Sequence, residues 1–215
     1  MAVDFGKALD AFCAAEGVAR EEVVEVKLYG RQPPIERMSA ADTAALGKCE
    51  KLSLSSNALD KVALGPGLRS LRVLSVGRNN LPRLDRASLE AVAPTLTELW
   101  ISYNAITSLE PLRVLKELKV LFASNNGLRS LADLAPLREL PALEDALFRG
   151  NPFWEALGGG AAADAGAGAG GEGAAALDMR RLRILRALPQ LKKLDGLLVS
   201  EPERAAAAAL PDDSR

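Results

Sequence analysis

Residues 96–106 read LTELWISYNAI, and the same pattern returns at 118–128 as LKVLFASNNGL and at 143–153 as LEDALFRGNPF. In each stretch apolar residues hold the first, fourth, sixth and last places, and an asparagine holds the ninth. Thus Leu96, Leu99, Ile101, Asn104 and Ile106 match Leu118, Leu121, Ala123, Asn126 and Leu128, and then Leu143, Ala146, Phe148, Asn151 and Phe153. Working outward, Cys49, Leu52, Leu54, Asn57 and Leu59 form an earlier copy, followed by Leu71, Leu74, Val76, Asn79 and Leu81. The asparagines at 57, 79, 104, 126 and 151 are therefore spaced by 22, 25, 22 and 25 residues. A degenerate copy precedes them at Val23, Val26 and Leu28, and a truncated one follows at Leu191 and Leu194.

A fixed period of this length with L-x-x-L-x-L-x-x-N-x-L is a leucine-rich repeat. In the L-x-L core the two apolar residues point to one side of a strand and their neighbours to the other, because successive Cβ atoms alternate. The short amide at the ninth place can hydrogen-bond the backbone that leaves the strand, which a leucine there could not do. One unit cannot enclose a core alone, so neighbours share one. The expected fold is an α/β right-handed solenoid with a parallel concave β-sheet, and helices or 3₁₀ turns on its convex side. Convex segments at Ala87–Val92, Leu112–Leu115 and Leu134–Leu140 carry helical apolar spacing, punctuated by Pro94, Pro111 and Pro136.

The open ends of a solenoid need covers with one polar face. Residues 1–22 supply the first: Asp4 can cap a helix whose Phe5, Ala8, Leu9, Phe12 and Cys13 share a face. The repeats then run from 23 to 157. Residues 158–176 are nearly all Gly and Ala, too poor in large apolar groups to offset ordering entropy, and read as a flexible insert. A second cap spans 177–199, with Leu177, Leu182, Leu185 and Leu188 among Arg180, Arg181, Arg183 and Arg186; on an amphipathic cap helix these arginines read as a solvated face, with binding of an acidic surface as the alternative. In the tail, 200–215, Ser200 and Glu203 form a capping box ahead of an Ala-rich helix, which at about ten residues is marginal unless something holds it.

The outward-pointing residues form rows across the strands. The middle row runs Lys27, Ser53, Ser75, Trp100, Phe122, Leu147, which puts three large apolar side chains on strands about 4.8 Å apart. The row before it, Glu25, Lys51, Val73, Glu98, Val120, Asp145, adds two valines and flanking acids. The row after it, Tyr29, Ser55, Gly77, Ser102, Ser124, Arg149, is mostly small. Val73, Trp100, Val120, Phe122 and Leu147 thus form a candidate protein-binding patch, with Arg78, Glu98, Tyr103, Asp145 and Arg149 as its polar rim.

Composition narrows the function classes. With 27 Lys+Arg against 28 Asp+Glu the net charge is −1, so no overall field draws nucleic acid or anionic membrane. There is no histidine, which removes the commonest acid–base group and most zinc and haem sites, so no catalytic residue, metal or cofactor is expected. Two cysteines, Cys13 and Cys49, make no disulfide framework, and Cys49 fills a leucine place of its repeat. No apolar run approaches the ~18 residues that span a bilayer, and the start MAVDFGKALD has no apolar leader core. A cytoplasmic protein that binds other proteins is the expectation. A phosphatase regulatory subunit or another repeat adaptor would offer acids and aromatics on the same face and is the alternative.

Five segments carry a more specific likeness: RQPPIERM (31–38), LSVGRN (74–79), LTELWISYNAI (96–106), LKVLFASNN (118–126) and ALPQLKKLDG (187–196). In this order they resemble the axonemal outer-arm dynein light chain 1 family, and ELWISYN and PPIE are not demanded by the repeat. The resemblance implies a noncatalytic light chain of the ciliary or flagellar axoneme that binds a dynein heavy chain at its microtubule-binding stalk tip and regulates motility. It implies that Trp100, Phe122 and Leu147 make the contact, that Arg204 on the terminal helix has a regulatory role, and that tubulin is a second candidate contact.

Overall fold

The computed structural model describes residues 3–158 and 178–211. All of the Gly/Ala-rich insert except Gly158 lies outside the described residues, as do Leu177 and residues 212–215.

A two-residue strand β1 (Val3–Asp4) leads into helix α1 (Phe5–Glu16). The Asp4 carboxylate accepts the Gly6 amide at 2.9 Å and caps the helix. Phe5, Ala8, Leu9 and Cys13 bury one face against the first repeat unit, and Phe12 packs at its margin. The chain continues through β2 (Glu25–Lys27), β3 (Ile35–Arg37), β4 (Lys51–Ser53), β5 (Val73–Ser75), α2 (Arg86–Glu90), β6 (Glu98–Trp100), β7 (Val120–Phe122) and β8 (Asp145–Leu147). It ends with α3 (Pro152–Leu157), α4 (Met179–Ala187), β9 (Lys193–Leu194), β10 (Leu197–Leu198) and α5 (Glu201–Ala209). Strands β2, β4, β5, β6, β7, β8 and β9 pair in that order, all parallel, and β10 adds an antiparallel edge; β1 and β3 form a separate parallel pair.

The register is the one the repeat spacing predicts: Leu52, Leu74, Leu99 and Leu121 lie side by side and are at most 1% exposed. Behind the sheet the chain returns through α2 and 3₁₀ turns at Ala40–Thr43, Glu110–Val114 and Leu131–Glu139. Pro111 and Pro136 sit inside the last two, where a missing N–H is tolerated in a short tight helix better than in an α-helix interior.

The asparagines do more than close their own turns. Asn126 Nδ2 donates to the Ile101 and Ala123 carbonyls at 3.0 and 3.2 Å, and its Oδ1 accepts the Ile106 amide at 3.1 Å. Asn104 reaches Ile101 and Val76, Asn79 reaches Val76 and Leu54, and Asn151 reaches Phe148 and Ala123. Carbonyls in the ladder thus receive amides from two successive repeats, and the stack of strands is tied together by side chains.

The second cap departs from the solvated-face reading. Arg181 is buried, with Nε 2.7 Å from Glu203 Oε1 and Nη1 donating to the Leu194 carbonyl at 2.7 Å. Arg180 lies over the ring of Trp154, a buried residue of α3, at 5.8 Å. Arg186 donates to the Leu210 carbonyl. The physical reason is tertiary: α5 folds back on α4 and supplies the acid and carbonyls that let these guanidiniums leave water. This contact also holds the short α5, together with the Ser200–Glu203 capping box and the burial of Ala207.

Candidate functional site

The exposed face of the sheet is built by alternation within β5 to β8. Trp100 and Phe122 stand directly opposite each other in the register, their rings stacked with centroids 5.6 Å apart and planes 23° from parallel. Leu147 pairs with Phe122 on the next strand, and Val73, Glu98 and Val120 occupy the row beside them. Trp100 is 37% exposed, while Phe122, Leu147, Val73 and Val120 are half-buried by one another. The structure therefore sets Trp100, Phe122 and Leu147 side by side on adjacent strands, with Val120 beside them and Val73 on the far side of Glu98.

On the β2 side of Trp100 the small side chains of Ser53 and Ser75 leave a recess of about 270 Å³, walled by Tyr29 and Trp100 and edged by Lys27, Lys51, Glu25 and Glu98. The Ser75 hydroxyl is 2.6 Å from that of Ser55, so part of the recess floor already satisfies its own polar groups and can accept an apolar side chain. The sequence signal for this recess was the run Lys27, Ser53, Ser75 ahead of Trp100 in the middle row; its depth depends on Tyr29 standing as the far wall.

The rim residues divide. Asp145 is tied to Lys193 at 3.1 Å, although its Oδ1 finds no hydrogen-bond partner. Arg149 is exposed, its guanidinium 5.8 Å from the Trp154 ring, and its backbone amide donates to Asp195 Oδ1 at 3.0 Å. Burial pushes the Asp195 carboxyl above its ordinary value, against the amides of Phe148 and Arg149 that favour its charge. Arg78 and Tyr103 lie one residue beyond the small row, the guanidinium 4.1 Å from the ring centroid.

Arg78 and Tyr103 also share a backbone feature. Gly30, Ser56, Arg78, Tyr103, Asn125 and Gly150, one per repeat, all adopt the left-handed region, with φ of 54° at Arg78 and 59° at Tyr103. At Gly150 space adds to the constraint, since a Cβ there would lie 2.3 Å from Asn125 Oδ1, whereas Gly30 has open space around it and only its backbone conformation favours glycine. A bulky residue in this conformation costs about 1–2 kcal/mol. The sequence did carry this signal, in the glycines and asparagine at the same repeat position.

Arg204 stands apart from the stripe. It lies in α5, and its guanidinium donates to the carbonyls of Pro189 and Leu191 at 2.8 and 3.0 Å, so it ties α5 to the end cap. Neither thiol resembles a nucleophile: both are buried, and burial pushes Cys49 up to about 11. Among the described residues no group of His, Cys, Asp or Glu is placed to hold a metal ion. The chemistry this surface offers is recognition by apolar contact with a charged border.

Known proteins with a similar chain bear on the fold and the family. The family described as "Leucine Rich repeats (2 copies)" matches residues 94–144. A leucine-rich-repeat protein of Leptospira interrogans superposes with a TM-score of 0.57 at 19% identity, covering 80% of this chain and 37% of that one, which shows the fold alone. Dynein axonemal light chain 1 of Chlamydomonas reinhardtii is 37% identical over 200 residues, spanning 93% of this chain and 92% of its own length. Its counterpart from Danio rerio is 42% identical over 187 residues, 87% of each chain. Because the likeness extends from the repeats through both caps, the chain belongs to the dynein axonemal light chain 1 family.

Proposed function

We propose that this dynein light chain is noncatalytic, works in the axoneme of a cilium or flagellum, and holds the microtubule-binding stalk region of an outer-arm dynein heavy chain, thereby regulating motility. The observation that carries the reading is the Trp100–Phe122 stack on the open sheet face. The repeat needs no large apolar group at that position, since Ser53 and Ser75 serve in the same row of β4 and β5. An exposed stack bordered by charge is what a protein interface presents before its partner arrives.

The magnitude follows from exposure. A tryptophan offers roughly 250 Å². With Trp100 37% exposed, roughly 90 Å² awaits cover, worth about 2 kcal/mol at about 25 cal/mol/Å². The test is a titration of the purified chain against a recombinant outer-arm stalk tip, with circular dichroism showing each variant folded. Trp100→Ala is expected to weaken binding roughly 30-fold. A folded wild type that does not bind the stalk tip refutes the reading; a Trp100→Ala variant that binds as well as wild type refutes the face.

A further inference from the structure

The two borders of the stripe differ in how their charges are used. At the strand starts the ionic groups are largely paired among themselves: Glu50 with Arg72, Glu144 with Lys192, Asp145 with Lys193. At the strand ends the pattern is different. The row Tyr29, Ser55, Gly77, Ser102, Ser124, Arg149 and the left-handed positions Gly30, Ser56, Arg78, Tyr103, Asn125 and Gly150 contain no acid; the nearest left-handed acid, Asp195, is held by the Phe148 and Arg149 amides at the far end of the row. Arg78 is exposed there, and among the described residues no carboxylate pairs with it. Its guanidinium carbon lies 4.1 Å from the centroid of the Tyr103 ring, a contact that restrains the side chain, and the residue remains exposed to solvent.

Arg78 and Tyr103 hold this arrangement on left-handed backbone positions that sibling repeats fill with Gly30, Ser56, Asn125 and Gly150. Two bulky residues just past adjacent strands, at a place that disfavours them, in contact with each other and unused by the fold's own ion pairs, mark a functional contact. Tyr103 lies three residues beyond Trp100, the last residue of β6. We infer that the Arg78–Tyr103 pair is a docking element for a carboxylate on the polypeptide segment that covers the Trp100–Phe122 stripe.

The inference rests on the stripe being the partner-binding face. It adds the partner's chemistry: an apolar group flanked by an Asp or Glu, received by an oriented guanidinium that can bind both oxygens. The serine and glycine row between stripe and pair leaves room for the partner's backbone to approach. A carboxylate is favoured over other anions because the adjoining surface is an apolar stripe of the kind that binds protein.

The test uses the full chain and a recombinant outer-arm stalk tip, with affinities measured at low and high salt. Arg78→Asn is the key variant, because Asn125 already occupies the equivalent left-handed position and the fold should be retained. Binding is expected to fall about tenfold at low salt for Arg78→Asn and further for Arg78→Glu, with a shallower salt dependence in both. Replacing stalk-tip carboxylates singly with lysine should identify one whose exchange restores binding to Arg78→Glu. If Arg78→Asn and Arg78→Glu bind within twofold of wild type while Trp100→Ala loses binding, the stripe stands and the carboxylate contact is overturned. If the folded wild type does not bind at all, the underlying reading fails with it.

Discussion

Replacing Asn126 with alanine tests whether the side-chain ladder, more than the strand pairing, holds the repeats in register. The residue is 8% exposed and makes four hydrogen bonds, three donated, to Ile101, Ala123 and Ser124, and one accepted, from Ile106. In Asn126→Ala the Ile106 amide loses its acceptor outright. The Ile101 and Ala123 carbonyls each lose one donor of two, because Asn104 and Asn151 still reach them. An orphaned buried donor costs about 1–3 kcal/mol, and each lost but compensated bond costs about 0.5–1.5 kcal/mol. Together these span about 2–6 kcal/mol. The expected destabilisation is about 3 kcal/mol, toward the low end because both carbonyls keep a donor, and is a large part of the 5–15 kcal/mol that typically holds a domain together. For a chain of this size that lowers Tm by roughly 6–12 °C.

The assay is urea unfolding followed by circular dichroism, with hydrogen exchange read at the Ile106 amide. Asn126→Asp sharpens it. A carboxylate still accepts from Ile106 but turns a negative charge toward two carbonyls, so its folded-state pKa rises above the unfolded value. Its deficit should be greatest at neutral pH and shrink as pH falls through that raised pKa. A loss below about 1 kcal/mol for Asn126→Ala, or an Asp variant insensitive to pH, would refute the ladder argument.

The same logic applies at the end cap. Burial disfavours the charge of Glu203, but hydrogen bonds from Arg181 and from the Ser200 amide and hydroxyl outweigh it and lower its pKa below 4.5. A lowered carboxylate adds stability above its unfolded pKa and loses it as pH falls, so acidification below about pH 4.5 should release α5, seen as faster exchange over residues 201–209. Glu203→Gln should remove that dependence, whereas Glu203→Ala should release α5 at pH 7 by leaving the Arg181 charge buried without its acid, a loss of about 3–5 kcal/mol. Cys49 should resist alkylation in the folded chain at pH 8 and react fully in urea, as its burial and pKa of about 11 require; ready native labelling would show that the first repeat opens.

What could be read from sequence was whatever the repeat states locally. The alternation in ELWIS and KVLFA sets which side chains leave the core, so Trp100, Phe122 and Leu147 were legible as neighbours before any coordinates. The asparagine spacing likewise placed one amide per turn. It did not reveal that each amide also serves the preceding repeat, because that depends on how closely consecutive turns stack. The hairpin of β9 and β10 was signalled by Asp195-Gly196 between leucines, both with positive φ, but was absorbed into the reading of a simple cap.

The arginines of α4 show where local reading fails and why. Arg180, Arg181, Arg183 and Arg186 alternate with leucines as a solvated face would, and nothing within the helix says otherwise. Their environment comes from Trp154 on the far side of the insert and from Glu203 and Leu210 more than twenty residues later. The same distance in sequence separates Arg204 from the carbonyls it holds on the cap only in part, since Pro189 and Leu191 lie within fifteen residues. Because Arg204 ties α5 to the cap, the regulatory role that the family resemblance implies for it need not involve a free charge reaching outward. A change at Arg204 would act by loosening α5, and with it Glu203 and the buried Arg181, before it altered any surface potential. Release of α5 would then be the event to measure when the terminal helix is perturbed.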